Sequence, residues 1–231
     1  MRAAAAAQVL VADPADPALS DADRHHLGRV LRLRSGEAVV ATDGRGRWRS
    51  CRYGEGVLTP DGPVEAEDAP QPPLTVAFAP VKGDRPEWVV QKLTELGIDR
   101  IVPLATDRSV VRWRGDRRDH VLERLRRVVV EATAQCRRVW LPDVTDVEVL
   151  EPLAALGGLA LAQPGGPPLC PGTTAVAVGP EGGWSPGELA LGLPTVGLGP
   201  TVLRAETATL AAGVLLVSRR AGTVCSGDHG G

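Results

Sequence analysis

Two short runs concentrate the residues able to do chemistry in this chain. The first is Gly179-Pro180-Glu181-Gly182-Gly183-Trp184-Ser185-Pro186-Gly187-Glu188. Its glycines tolerate positive backbone angles and let the main chain approach a bound molecule without side-chain collision. Ser185 is placed to cap a helix, Pro186 suits the first helical position, and Glu188 completes a capping box. A plain strand-to-helix turn accounts for Ser185 and Pro186, yet it gives no reason for a carboxylate, Glu181, among so many flexible positions. The second run is Leu198-Gly199-Pro200-Thr201-Val202-Leu203-Arg204-Ala205-Glu206-Thr207-Ala208. It brings Arg204 and Glu206 to the mouth of a helix, where Ala208, Ala211 and Ala212 permit close packing. Alone, Arg204 and Glu206 read as a surface ion pair worth under about 1 kcal/mol. Beside the first run they read as a cation and a carboxylate at a ligand pocket.

Such a pocket needs a scaffold that sets the two runs side by side. Strand and helix patterns alternate from Leu74 onward: strand Leu74 to Ala79, helix from about Asp84 to Leu96 closed by Gly97, strand Ile98 to Leu104, then a long helix near Asp119 to Cys136. A shorter helix near Val147 to Leu156, strands Leu159 to Ala162, Thr174 to Val178 and Thr195 to Leu198, and a helix from about Leu203 to Arg219 complete the series. Alternation of this kind predicts an α/β fold with a parallel sheet. Ligands of such sheets sit beyond the carboxyl ends of the strands, and both glycine runs follow a strand.

The first seventy residues differ. Ser20 with Asp23 marks a helix start, and Leu27, Val30 and Leu31 have the spacing of a buried stripe. Ala38 to Ala41 and Trp48 to Tyr53 read as strands joined at the Asp43-Gly44-Arg45-Gly46 hairpin turn. The stretch Val39 to Gly46 imitates the strand and glycine turn of a Rossmann-type fold. That motif requires a helix next, whereas Arg47 to Tyr53 alternates with period two. The proline-rich, acidic stretch from Pro60 to Pro73 reads as a linker, dividing the chain into residues 1–70 and 71–231.

Composition narrows the classes. A net charge of −2 hides two basic blocks: eight Arg against Glu37 and Asp43 between Arg24 and Arg52, and ten Arg against four acids between Arg108 and Arg138. Segregated cations suit a phosphate backbone; solvated helix faces explain them equally well. Cys51, Cys136, Cys170 and Cys225 are widely spaced, as in a reducing compartment. His25 and His26 have no acidic or cysteine partners at ligand spacing, so no metal is expected. The alanine-rich start is interrupted by Gln8 and followed by Asp13 and Asp16, which argues against a signal peptide. No run approaches the length of a membrane span, and a cytoplasmic location is expected.

The two glycine runs together resemble those of the knotted SPOUT superfamily, specifically the bacterial 16S ribosomal RNA uridine-N3 methyltransferase family. The resemblance covers nearly the whole chain: His26-Leu27-Gly28-Arg29-Val30-Leu31-Arg32, the Asp43-Gly44 turn, Lys82-Gly83-Asp84-Arg85, Gln91 to Gly97, Arg108-Ser109-Val110 and Glu131 to Arg138. One departure is the alanine run before Gln8-Val9-Leu10-Val11, where the family has a basic and aromatic segment. The resemblance implies a PUA-like β-barrel followed by a SPOUT domain with a C-terminal trefoil knot, a homodimer, and S-adenosylmethionine held by the knot loops. The substrate it implies is 16S rRNA in the small ribosomal subunit.

Within that frame, Gly179, Pro180, Glu181, Gly182, Gly183, Leu198, Gly199, Leu203, Thr207 and Ala208 are assigned to the cofactor. Arg204 and Glu206 are assigned to catalysis: Arg204 to the uracil carbonyls or the developing uracil anion, and Glu206 or Glu181 to the N3 proton. Arg29, Arg32, Lys82, Lys92, Arg108, Gln135 and Arg138 are the RNA-binding candidates. A different RNA target, such as a ribose 2′-hydroxyl or a transfer RNA, and a non-catalytic RNA-binding role in ribosome assembly are the rival readings.

Overall fold

In a computed structural model of the chain, residues 4–81, 85–155 and 157–223 are described. They divide into two compact units, one of residues 1–69 with 130–141 and one of residues 70–129 with 142–231.

The first unit is built on a four-stranded sheet in the order β1-β2-β3-β4. Strand β1 (Ala7–Leu10) runs parallel to β2 (Ala38–Thr42), and β3 (Arg47–Gly54) and β4 (Val57–Ala66) continue antiparallel. The middle residues of β2 are apolar and buried on both faces. Val39 and Ala41 join Val9, Leu27, Cys51 and Tyr53 in one core, while Val40 meets Ala5, Trp48 and Val139 in another. Burial pushes the Cys51 thiol up, against the opposing pull of Arg49, so it is an inert core sulfur.

Helix α1 (Asp21–His25) begins at the expected start, where Ser20 and Asp23 form a capping box. The predicted buried stripe fails after its first member, however: Leu27 is fully buried, but Val30 is 58% and Leu31 45% exposed. The cause is a π-helical turn, His26–Val30, in which the Leu31 amide bonds to the His26 carbonyl five residues back. That register moves residues three and four positions after Leu27 off its face. The linker reading also needs correction, because residues 60–66 belong to β4 rather than to a linker. Strand β4 is an edge, where Pro60 and Pro63 cost no interior ladder bond.

Residues 130–141 close this unit through contacts the local pattern does not encode. Buried Gln8 donates its amide to the carbonyls of Thr133 (3.3 Å) and Arg138 (2.6 Å). Trp140 donates its indole N–H to the Glu67 carbonyl at 3.0 Å. A side chain at Gly46 would collide with that indole and that carbonyl.

The second unit carries a six-stranded, all-parallel sheet in the order β10-β8-β9-β5-β6-β7. Its strands are β5 (Thr75–Phe78), β6 (Arg100–Pro103), β7 (Asp143–Val144), β8 (Leu159–Ala162), β9 (Ala175–Val178) and β10 (Thr195–Val196). Alternate residues serve opposite faces: Val76 and Phe78 pack with Val89, Leu93, Ile101 and Leu216, and Ala77 packs with Val102, Leu150, Leu161 and Trp184. Helices α2 (Arg85–Leu96), α3 (Gly115–Cys136), α4 (Leu150–Ala154), α5 (Pro186–Leu189) and α6 (Ala205–Arg220) connect or flank the strands. Helix α3 starts four residues before the expected Asp119, and its last turns, from Val130, count with the first unit. The chain leaves β5 toward β6 and β7, then returns on the other side through β8 and β9. Strands β5 and β9 therefore form a switch point, whose carboxyl ends open a crevice.

Candidate functional site

The first glycine run departs from the end of β9, on this crevice, and the second from the end of β10, the edge strand two places away. The run after β9 is fixed by its neighbours. Trp184, 4% exposed, donates its indole N–H to the Ala162 carbonyl at the end of β8 (3.0 Å). A Cβ at Gly179 would stand 3.0 Å from the same indole. Gly183 has φ 67 and turns back to donate to the Pro180 carbonyl at 2.8 Å. The expected capping box is present: the Ser185 amide donates to Glu188 Oε2 (2.7 Å), and the Glu188 amide donates to Ser185 Oγ (3.2 Å).

A third segment, beyond β6, ties into the same loop. Ser185 Oγ donates to Asp107 Oδ2 at 2.6 Å, and the Asp107 amide donates to Glu188 Oε1 at 3.2 Å. Arg108 donates from Nη1 to the Gly182 carbonyl at 3.0 Å.

The run after β10 crosses the chain close to residues 163–167. Gly197 donates to the Pro167 carbonyl at 2.8 Å, and a Cβ on Gly197 would overlap the Gly166 carbonyl oxygen. From Leu198 the loop is less tightly held and leads to Arg204, which stands at the N-cap of α6 without a side-chain cap bond.

A cleft of about 380 Å³ lies between the runs. Gly179, Pro180, Glu181, Gly182, Gly183, Leu198, Gly199, Leu203 and Ala208 line it, so nine of the ten residues assigned to the cofactor share one wall system. Thr207 lies on neither wall and is exposed on α6. Trp184 and Gln163 also line the cleft, although the sequence reading did not single them out.

A second hollow of about 700 Å³ adjoins the cleft through Arg108, Pro180, Glu181, Gly182 and Ala205. Arg204 lines this hollow with Arg85. Glu206 is withdrawn: its side chain is 15% exposed and Oε1 pairs with Arg85 Nη1 at 3.1 Å. Its Oε2 is buried without a hydrogen-bond partner among the described residues.

The RNA-binding candidates fall in both units. Arg29 and Arg32 are exposed at and after the π-helical turn, and Gln135 and Arg138 lie at and beyond the end of α3, all in the first unit. Lys92 pairs with Glu95 on α2 at 2.8 Å. Arg108 stands on the wall common to the two cavities. Lys82 lies outside the described residues.

Asp107, Arg85 and Gln163 were missed because their partners are distant in sequence. One signal could have found Asp107 and Gln163: each follows the carboxyl end of a parallel strand. Among the described residues no cluster of His, Cys, Asp and Glu is suited to a metal, and no helix is long and apolar enough to cross a membrane.

The walls suit a flat, charged small molecule. Glycines expose main-chain groups, Val178, Leu198 and Leu203 supply apolar surface, and Glu181 offers a negative charge.

Comparison with known proteins gives concordant results. Residues 67–217 match the RNA methyltransferase domain, and residues 19–55 match the RNA methyltransferase PUA domain. The chain is 35% identical over 214 residues to ribosomal RNA small subunit methyltransferase E of Synechocystis, an alignment covering 82% of this chain and 69% of that one. Among solved structures, a probable rRNA-methyltransferase from Porphyromonas gingivalis superposes with a TM-score of 0.78 at 26% identity, covering 94% of this chain and all of the other. A ribosomal RNA small subunit methyltransferase E from Neisseria gonorrhoeae, bound to S-adenosyl methionine, superposes with a TM-score of 0.73 at 26% identity, covering 92% of this chain and 97% of that one.

Proposed function

The chain belongs to the ribosomal RNA small subunit methyltransferase E family of RNA methyltransferases, and from that premise we propose that it methylates N3 of one uridine in 16S rRNA of the small ribosomal subunit, using S-adenosylmethionine. The observation that carries this reading is the meeting of two glycine runs, each leaving a different strand, in one cleft whose Glu181 wall is shared with a hollow holding Arg204.

The cleft fits the cofactor by its construction. Gly179, Gly182, Gly183 and Gly199 bare the main chain, and a Cβ on Gly179 would crowd the Trp184 indole at 3.0 Å. Leu198, Leu203 and Ala208 would cover its apolar parts, and Pro180 and Glu181 would close one side. When bound, the cofactor supplies an electrophilic methyl group on a sulfonium.

The protein's own task is to align N3 with that methyl and remove the N3 proton. Arg204 holds the uracil carbonyl oxygens and stabilises the anion that forms. Its position argues for chemistry rather than stability: a cation at a helix N-terminus opposes the helix dipole, and Arg is a poor cap. Glu181, exposed on the shared wall, or Glu206, held by Arg85, accepts the proton. Arg29, Arg32, Gln135 and Arg138 of the first unit, and Lys82, Lys92 and Arg108, contact the RNA backbone.

The finer architecture belongs to the same proposal. Residues 1–70 form a PUA-like barrel and residues 71–231 a SPOUT domain with a trefoil knot. The close crossing of residues 163–167 by Gly197, and the bond from Arg219 to the Leu169 carbonyl at 2.9 Å, support the knot. A homodimer is supported by exposed Trp88 and Val214 on the mutually packed helices α2 and α6. A cytoplasmic location accords with a ribosomal substrate.

Incubation with labelled cofactor and small ribosomal subunits, followed by mapping of reverse-transcription stops, tests the function. A single new stop at a uridine is expected, because a methyl on N3 blocks base pairing. Label on a ribose hydroxyl, or no label at all, would refute it.

A further inference from the structure

The second hollow has no counterpart in the cofactor assignment, yet it shares a wall with the cleft and differs from it in charge. Three arginines, Arg85, Arg108 and Arg204, line it with Glu181; Arg85 is paired with Glu206, which leaves Arg108 and Arg204 as the cations opposite one carboxylate. Arg108 uses Nη1 on the Gly182 carbonyl, which fixes the guanidinium at the wall while leaving further N–H donors for an anion. Val110 lines the same hollow and is 81% exposed, an unusual state for a branched apolar side chain beside arginines. An apolar surface next to surplus cations complements a nucleotide, which has a base with apolar faces and a phosphate with a negative charge.

We propose that this hollow receives the unpaired target nucleotide, with its phosphate on Arg108, its base against Val110 and the reacting edge turned to the Glu181 wall. The proposal rests on the reading of the adjoining cleft as the cofactor site. It adds a specificity element, Val110, and gives Arg108 a double duty.

Val110 is the residue to change, since it is exposed and does not line the cleft. In the full chain, Val110→Asp replaces the apolar contact to the base with a negative charge inside the hollow that must also hold the phosphate. KM for small ribosomal subunits should rise about tenfold or more, while the calorimetric Kd for S-adenosylmethionine stays within about twofold. Val110→Lys also loses the apolar contact but adds a cation, so KM should rise less than in Val110→Asp, by about threefold or less. Equal losses in both variants, or an unchanged KM in Val110→Asp, would overturn the nucleotide assignment while wild-type transfer left the proposed function standing. A fall in sedimentation coefficient for Val110→Asp would also overturn it, marking the face as a contact between copies of the chain. Failure of the wild type to methylate small-subunit RNA would instead remove the functional reading, and this one with it.

Discussion

The two glycine loops bound one cleft but are built differently. The loop after β9 is clamped: an indole, a capping box, Asp107 and Arg108 all bond to it within a few residues. It opens a helix of only four residues, α5, yet that short helix has a complete N-cap. The loop after β10 opens α6, which has sixteen residues and a longer dipole to satisfy, and there the cap position holds Arg204 with no cap bond. Val202 on that loop is 83% exposed. One wall is thus preorganised, and the other gives up local stability to present a cation. Local rules are kept where the pocket must stay rigid and broken where a side chain must face the reaction.

Removing the clamp should have the largest effect. Trp184→Ala, by emptying a buried site and releasing the Ala162 carbonyl, should cost about 3 to 5 kcal/mol and lower Tm by roughly 10 °C in thermal denaturation. A drop within about 2 °C would mean the first wall is not held by this indole. Arg204→Ser reverses the trade on the other wall. It should cut kcat by about 100- to 1,000-fold while raising stability by about 0.5 to 2 kcal/mol, because a serine there can cap α6. Single-turnover transfer and denaturant titration on the same sample decide it, and an active or destabilised variant breaks the contrast.

Smaller effects sharpen it. Gly183→Ala meets no neighbour within 4 Å, so only its positive φ opposes the change, at about 1 to 2 kcal/mol by chemical denaturation. Val202→Ser on the looser wall should shift stability by less than about 0.5 kcal/mol. Equal responses at the two positions would erase the difference between the walls.

What the sequence disclosed follows the range of the interactions involved. The helix starts at Ser20 and Ser185 were legible because both capping partners lie within one turn, and five of the six parallel strands because each is a short apolar run; β7, only Asp143–Val144, was not. The cleft residues were legible because glycines cluster where main chain meets ligand. The buried stripe at Leu27, Val30 and Leu31 misled, since a π-helical turn leaves no mark in a three-and-four pattern. Residues 60–66 were hidden as a strand because an edge tolerates proline and needs no alternation. The Ser185–Asp107, Arg85–Glu206 and Gln8–Arg138 contacts join residues far apart in the chain, and nothing in either local segment names the other.

The crossing of Gly197 over Gly166 also limits how this pocket can evolve. With main chain against main chain there, neither position can acquire a side chain without prising the strands' extensions apart. Gly166 and Gly197 lie close in sequence to Pro164 and Leu198, which line the cleft, so the backing there is fixed and drift toward a bulkier or smaller donor molecule falls on lining side chains such as Leu203 and Ala208.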